Sequence, residues 1–196
     1  MLPRTSQIVS GTAIAADEAG TLKVRLQLQL SVTGGAHYMD ATELLTKDHE
    51  AVRQLFEEFE SGESNDSKLD AYEDLRQQLL IHARIEEEIF YPAIREADPG
   101  KAENPVKEAL TEHQQVKQML AKLDEMAAEV DADFDESVKQ LAKSVEHHVQ
   151  EEENDIFRVA RKMGKQQLGE LGDRLQQRKN ELMNAGMDED DQSAPQ

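Results

Sequence analysis

The sequence HARIEEEIFYPA, residues 82–93, places a histidine and a glutamate four positions apart within a helical pattern. Four residues make about one helical turn, so His82 and Glu86 are expected on one face. The sequence HVQEEENDIFRVA, residues 148–160, repeats this arrangement with His148 and Glu152, and it is offset from the first by 66 residues. Polar and apolar positions match alike, which indicates an internal repeat.

The repeat extends to the helix that precedes each of these stretches. DHEAVRQLF begins at Asp48 and EHQQVKQML begins at Glu112, so His49 and His113 occupy equivalent positions. Each copy is therefore a predicted helical hairpin with one histidine on its first helix and a histidine–glutamate pair on its second. A single hairpin cannot bury its own apolar face, so we expect the two hairpins to pack about an approximate twofold axis.

Helical periodicity and loop signals predict an all-α fold, an up-down-up-down four-helix bundle over residues 39–163. The expected helices cover residues 41–60, 67–97, 104–130 and 135–163. Asp40 and Glu43 predict a capping box for the first helix. Pro92 is expected to bend the second helix, and Asn104 to cap the third with Pro105 at its first position. Residues 164–196 are expected to form a fifth helix, about 166–183, which covers the bundle or meets a partner, and then an acidic tail.

Residues 1–38 differ in character from the rest of the chain. Residues 22–32 alternate with a period of two, as in a strand, but one unpaired strand is not stable in water. We expect residues 1–38 to be a disordered N-terminal extension. A hypothesis that follows is that Met39, directly before the helix-start signal, is the natural start of the protein.

Composition limits the possible partners and location. The formal net charge is −19, which repels nucleic acid and anionic membranes, so neither is expected as a partner. The sequence contains no cysteine, which excludes disulfides and thiolate metal sites. No apolar run reaches the roughly 18 residues of a membrane span, and polar residues interrupt the only signal-like segment, at 8–16. A cytoplasmic protein is expected.

Each of the four helices has a seam of apolar residues at alternating spacings of three and four, interrupted only by histidine or by histidine and glutamate. The seam of the first helix reads Leu45, His49, Val52, Phe56, Phe59, and that of the second reads Tyr72, Leu75, Leu79, His82, Glu86, Ile89, Ala93. That of the third reads Val106, Ala109, His113, Val116, Leu120, Leu123, and that of the fourth reads Phe134, Val138, Leu141, Val145, His148, Glu152, Ile156, Val159.

Two glutamates in an apolar seam need a physical reason. Burying an unpaired carboxylate costs several kcal/mol, and the four seams contain no lysine or arginine that could offset this cost. A bound cation would offset it, and histidine with carboxylate is a ligand set suited to iron. Glu86 and Glu152 could both reach the bundle axis and bridge two metal ions about 3.5–4 Å apart.

Three acidic or imidazole groups remain as alternatives or neighbours. Glu153, five residues after His148, competes with Glu152 as the second bridge. His147 lies about 100° around the helix from His148 and is expected to flank the site. His37 lies outside the bundle. The other members of the two Glu-Glu-Glu runs are expected on solvated faces.

The four motifs, in this order and over roughly residues 39–160, resemble the helix signatures of the hemerythrin HHE cation-binding family. The resemblance implies two iron ions per chain with an oxo or hydroxo bridge between them. One iron would be bound by His49 and His82, the other by His113 and His148, and Glu86 and Glu152 would bridge both. Oxygen-carrying hemerythrins have a second histidine four residues after the one on the third helix, where this sequence has Lys117. One iron would then keep an additional open position.

The resemblance therefore implies a non-haem di-iron protein that binds or senses oxygen, nitric oxide or a peroxide. A di-iron enzyme that decomposes peroxide or reduces nitric oxide is an alternative, and so is an iron-buffering protein or one whose metal is only structural. The departure at Lys117 makes reversible oxygen carriage less expected than sensing, scavenging or reaction. The choice of iron over manganese or zinc rests partly on the resemblance, because the ligand types alone suit all three.

Overall fold

A computed structural model of the chain describes residues 39–128 and 130–185. The predicted extension 1–38, with its strand-like segment and His37, and the acidic tail lie outside the described residues. The helices are α1 (Ala41–Ser61), α2 (Asn65–Ile85), α3 (Tyr91–Ala97), α4 (Pro99–Met126), α5 (Ala132–Glu151), α6 (Phe157–Ala160) and α7 (Lys165–Ala185).

Two short π-helical segments interrupt what the sequence predicts as continuous helices. The first, Glu86–Phe90, joins α2 to α3, and the second, Glu152–Ile156, joins α5 to α6. In each segment a backbone amide donates to the carbonyl five residues earlier, from Tyr91 to Glu86 and from Phe157 to Glu152. A π turn holds one residue more than an α turn, so each segment rotates the following helix face. Both segments begin at a glutamate of the predicted pair.

The predicted four-helix bundle is confirmed. It is formed by α1, by α2 with α3, by α4, and by α5 with α6. The capping box of α1 is present, since Asp40 Oδ1 accepts from the amide of Glu43 at 3.0 Å and Glu43 accepts from the amide of Asp40 at 3.1 Å. In the described part of the chain, no helix has both the length and the apolar character needed to cross a bilayer.

Two predicted helix starts are wrong. The third helix begins at Pro99, not at Asn104, and continues through Pro105. Its first turn is anchored because Ala102 is completely buried, and the amide of Ala102 donates to Asp98 at 2.9 Å. The fourth helix begins at Ala132, and its cap is Asp131, whose side chain accepts from two backbone amides, each at 3.0 Å.

The fifth helix covers part of the bundle, and a partner for its outer face stays a prediction. α7 packs against α1, α2 and the first π segment, and it buries Leu168, Leu171 and Leu175. Gly172 allows a close approach, because a Cβ atom there would lie 2.3 Å from the carbonyl oxygen of Met39.

The apolar core consists of two clusters. One contains residues from α1, α3, α4, α6 and α7, from the end of α2 and from both π segments, including Leu45, Phe90 and Leu171. The other fills the opposite half of the bundle and includes Val52 and Leu141. Between the two clusters, each of the four bundle helices contributes a buried polar residue. The predicted metal ligands lie in this layer.

Candidate metal centre

Four histidine side chains converge on the axis of the bundle, one from each of α1, α2, α4 and α5. All four are buried, with 2–5% of each residue exposed. Their Nε2 atoms form two close pairs. Those of His49 and His82 are 3.2 Å apart, and those of His113 and His148 are 3.1 Å apart. The structure thus brings together all four histidines that the sequence singled out.

Glu86 links the two histidine pairs. Its Oε1 lies 3.2 Å from Nε2 of His82, and its Oε2 lies 3.2 Å from Nε2 of His113. Glu152 Oε2 lies 3.2 Å from Nε2 of His49. Both glutamates are buried, with at most 1% exposed. Two groups of potential ligand atoms result, and Glu86 belongs to both: His49, His82, Glu86 and Glu152 in one, and Glu86, His113 and His148 in the other.

The buried oxygens of these glutamates fit a cation. Among the described residues, Oε1 of Glu86 and both carboxylate oxygens of Glu152 have no hydrogen-bond partner, although histidine nitrogens lie nearby. Nitrogen and oxygen atoms that converge within 3.1–3.2 Å of one another could hold a common ion. A buried unpaired carboxylate is otherwise costly. That the six residues bind metal stays a prediction.

In the metal-free site, burial and neighbouring charges shift the pKa values of the two glutamates in opposite directions and lower that of His82. Burial, followed by the charge of Glu152, raises the pKa of Glu86 well above its usual range. Burial also opposes ionisation of Glu152, but contact with His49 and the charge of His148 outweigh it and lower the pKa of Glu152. Burial lowers the pKa of His82 to about 4, so this imidazole is neutral at pH 7. A neutral imidazole has the free lone pair that a metal ligand needs.

The Nδ1 atoms of the four histidines face outward to carboxylates, called the outer carboxylates below. Such a partner orients the ring and fixes the tautomer that leaves Nε2 free. Three contacts are hydrogen bonds, and the fourth is longer: His49 to Glu153 at 2.8 Å, His113 to Glu87 at 2.9 Å, His148 to Glu112 at 2.9 Å, and His82 to Asp48 at 3.6 Å.

The outer carboxylates were missed by sequence reasoning, which assigned Glu87 to a solvated face. A signal was present. Asp48 and Glu112 each precede the first histidine of their copy, whereas Glu87 and Glu153 each follow the buried glutamate. The two preceding acids face a histidine of their own hairpin, and the two following acids bond to a histidine of the other hairpin. Glu153 therefore supports His49 from outside, and Glu152 is the residue that points into the cluster.

Tyr91 is a further buried polar group that sequence reasoning missed. Its hydroxyl lies 3.3 Å from Oε2 of Glu86 and 3.4 Å from Nε2 of His113. Burial, with the nearby charges of Glu152 and Glu86, raises the pKa of Tyr91 well above its usual range, so the hydroxyl stays protonated. The equivalent residue of the second copy is Phe157, which stacks on His49 with ring centroids 6.0 Å apart. The hydroxyl is therefore present in only one half of the site.

Within the described part of the chain, Lys117 contacts an outer carboxylate. Its Nζ donates to Oε2 of Glu87 at 3.1 Å, and Glu87 in turn contacts Nδ1 of His113. The residue at the position where oxygen carriers have a histidine thus acts on an outer carboxylate. His147, as expected, flanks the site: its side chain is 63% exposed, and Nδ1 lies 3.5 Å from Glu112 Oε1.

A cavity of about 20 Å³ lies against the four imidazoles. This volume exceeds the roughly 10–15 Å³ that one water-sized probe needs. Apart from the histidines, its walls are aliphatic: Val52, Leu79, Ala83, Val116, Val145 and Val149.

Comparison with known proteins agrees with the fold and the polar cluster. The family model described as the hemerythrin HHE cation binding domain matches residues 40–160. The structure is similar to that of a hemerythrin HHE cation-binding domain-containing protein from Mycobacterium kansasii, with a TM-score of 0.65 and 23% identity, covering 75% of this chain and 89% of that chain. At this identity the similarity supports the fold alone.

A curated protein from Nostoc sp. named DNA nickase is 27% identical over 133 residues. The match covers 67% of this chain and 37% of the relative, so the chain spans little more than a third of that protein's length.

Proposed function

The chain belongs to the hemerythrin HHE cation-binding domain family, and from that membership we propose that it is a non-haem di-iron protein that binds or senses a small molecule. His49 and His82 would bind one iron, and His113 and His148 the other. Glu86, which belongs to both groups of potential ligands, would link the two ions, and Glu152 would bind at least the ion of His49 and His82.

One observation carries the proposal. Buried carboxylate oxygens without hydrogen-bond partners lie among four inward-facing imidazole nitrogens. In the absence of a cation, Glu152 would be a buried charge with only the imidazoles beside it to offset the cost of burial, His49 at 3.2 Å being one of them. Imidazole and carboxylate together are a ligand set typical of iron in helical bundles.

When bound, the iron pair supplies electrons and open coordination positions for a small molecule. The protein's own residues orient and shield the site. Hydrogen bonds to three of the outer carboxylates hold Nε2 of His49, His113 and His148 toward the axis, and the two apolar clusters flank the site. Tyr91 keeps its proton at neutral pH, and its hydroxyl lies 3.4 Å from Nε2 of His113.

The cavity beside the imidazoles favours an apolar diatomic ligand. Its aliphatic wall offers no hydrogen bonds to a polar peroxide, whereas oxygen or nitric oxide needs none. Its volume of about 20 Å³ leaves room for a very small molecule only. We therefore place oxygen and nitric oxide before peroxide among the proposed ligands.

A di-iron enzyme acting on nitric oxide or peroxide is the second candidate. The Tyr91 hydroxyl favours it, because a protonated donor beside the open half of the site can assist reactions that consume protons. Iron buffering is less favoured, because six buried ligands exchange their ion only when the bundle opens. DNA cleavage is not proposed, since the net charge of −19 repels a phosphate backbone. Cytoplasmic location stays a prediction.

The first test is metal analysis with an absorption spectrum of the aerobically purified protein. We expect two irons per chain and near-ultraviolet absorption from the ferric pair. A colourless protein that holds zinc would contradict the proposal. Turnover assays with nitric oxide and with peroxide then separate the two candidates, because a binding protein saturates and an enzyme continues to form product.

A further inference from the structure

We propose that Lys179 on α7 is a positioning residue of the metal centre, acting through Asp48 on His82. The inference rests on the proposed function, because it assumes that His82 is a metal ligand. It assigns a role to α7, which lies beyond the residues matched by the family model.

The contacts form a short chain from α7 to the metal site. Lys179 Nζ donates to Oδ1 of Asp48 at 2.5 Å. The other oxygen of Asp48 lies 3.6 Å from Nδ1 of His82. The side chains of Lys179 and Asp48 are 15% and 8% exposed, so little water screens the ion pair.

His82 differs from the other three histidines in the contact that its Nδ1 atom makes with an outer carboxylate. Their Nδ1 atoms are 2.8–2.9 Å from an outer carboxylate, within hydrogen-bond distance. Nδ1 of His82 and Oδ2 of Asp48 are both buried and, among the described residues, have no hydrogen-bond partner. They face one another across the gap. Lys179 therefore holds Asp48 by one oxygen at a distance that leaves the outer hydrogen bond of His82 unformed.

The other half of the site contains a related arrangement. There Lys117 of α4 contacts the far oxygen of Glu87, and Glu87 bonds to Nδ1 of His113 at 2.9 Å. Each histidine pair thus has one outer carboxylate tied to a lysine. Only the Lys179 contact is brought by the helix that follows the bundle.

Removing the ammonium group of Lys179 should change the hydrogen bonding of His82, and with it the reduction potential of the iron pair, in a predictable direction. Asp48 is too buried to turn to solvent, so its nearest remaining donor is Nδ1 of His82. The gap closes and a hydrogen bond to a full carboxylate charge forms. Such a bond makes the imidazole a stronger electron donor to its metal. A stronger donor stabilises ferric over ferrous iron, so the reduction potential falls.

The test compares Lys179→Met with Arg178→Gln in the iron-loaded full chain. Arg178 also docks α7, but it contacts Glu88 at the surface. Two readouts apply: the reduction potential of the iron pair, and the NMR shift of the His82 Nδ1 proton in the zinc-loaded protein. We expect Lys179→Met to lower the potential and move the proton downfield, and Arg178→Gln to change neither. Lys179→Arg should retain wild-type values.

A double-mutant cycle excludes a general loosening of α7. In an Asp48→Asn background, Lys179→Met should shift neither readout, because the carboxylate through which it acts is gone. The double variant lacks both charges of the pair, so it leaves neither Lys179 nor Asp48 as an unpaired buried charge. Equal shifts in both backgrounds, or none in either, would overturn the role of Lys179. A chain that takes up no metal would overturn the proposed function as well.

Discussion

The hydroxyl of Tyr91 donates to Oε2 of Glu86 over 3.3 Å, on the side of the site that holds His113. In the other half, the equivalent Phe157 offers only a ring face to His49. The repeat therefore builds two similar metal positions with different surroundings. An anion bound on the Tyr91 side of the site, outside the aliphatic cavity, could accept a hydrogen bond there, whereas one bound beside Phe157 could not.

Tyr91→Phe should keep the fold and the iron content but weaken the binding of azide, a small anion that binds ferric iron. A hydrogen bond to a charged group contributes about 1.5 kcal/mol or more, so the dissociation constant should rise about tenfold or more. Spectroscopic titration of the ferric protein measures it. Tyr72→Phe is the control, since that buried hydroxyl bonds to Asp124, away from the metal site. Equal azide affinity in wild type and Tyr91→Phe would refute a role for the hydroxyl in ligand binding.

Neighbouring histidines on α5 provide a direct test of the ligand set. His148→Ala removes a buried Nε2 from the cluster and should leave at most one iron per chain. His147→Ala removes a largely exposed ring and should leave the iron content unchanged. Metal analysis after dialysis gives the stoichiometry. Two irons retained in the His148 variant would show that it is not a ligand.

Substitutions can likewise distinguish which of Glu152 and Glu153 is the metal ligand. Glu152→Gln should abolish binding of at least one ion, because it removes a buried carboxylate from the cluster. Glu153→Gln should retain both ions but lose them sooner to a chelator, since loss of such an outer partner typically lowers metal affinity about 10–100-fold. Chelator competition compares the two variants. The opposite order would make Glu153 the ligand.

Metal affinity should rise with pH. The raised pKa of Glu86 means that the metal-free protein keeps a proton there above pH 4.5, which an ion must displace. Below the folded-state pKa, each displaced proton reduces apparent affinity about tenfold per pH unit. Calorimetric titration with zinc in two buffers measures the proton release. In the unfolded chain Glu86 loses its proton at a lower pH than in the folded protein. The free energy of unfolding of the metal-free protein should therefore fall as the pH rises above 4.5. Zinc binding without proton release would contradict the assignment.

Two glycines of α7 should respond oppositely to alanine. At Gly172 a Cβ would meet the backbone of Met39 and Ala41, at 2.3 and 3.0 Å, so α7 must shift. We expect a loss of about 1–3 kcal/mol in unfolding free energy, as for other overpacked sites. A Cβ at Gly169 meets nothing within 4 Å, and alanine there should stabilise the helix by about 1 kcal/mol. Chemical denaturation of both variants measures the difference. A Gly172 variant as stable as wild type would refute the close approach.

Much of the architecture follows from the sequence because seam periodicity reports burial directly. The histidine and glutamate positions within the seams are the ones that the structure buries at the axis. The prediction failed beyond Glu86, where Ile89 and Ala93 are only half-buried and Phe90 and Ile94 take the core positions. A π segment inserts one residue into the turn, and a constant α-helical period cannot anticipate that shift; after the second π segment the predicted Ile156 and Val159 stay buried, and Phe157 and Ala160 are buried as well.

The remaining errors have local causes. Two prolines, Pro99 and Pro105, each suit the first position of a helix, and burial of Ala102 decides for the earlier one. The outer carboxylates were missed because an acidic residue beside a ligand looks like part of a solvated charge run. Only the position of the opposite helix shows that Glu87 and Glu153 face imidazoles of the other hairpin. Tyr91 was missed because only the position of the opposite helix shows that its hydroxyl lies beside His113.

The polar layer between the two apolar clusters also bears on how the protein unfolds. Without an ion, the layer of histidines and carboxylates separates the two apolar clusters, so they stabilise one another little. Each half of the bundle can then unfold locally as its own cooperative unit. Bound metal would join α1, α2, α4 and α5 at mid-height and couple the halves, because an ion that binds only the folded state stabilises it. Amide exchange would then be uniformly slow in the loaded protein. After metal removal, the end closed by α7 and the opposite end would exchange at separate rates.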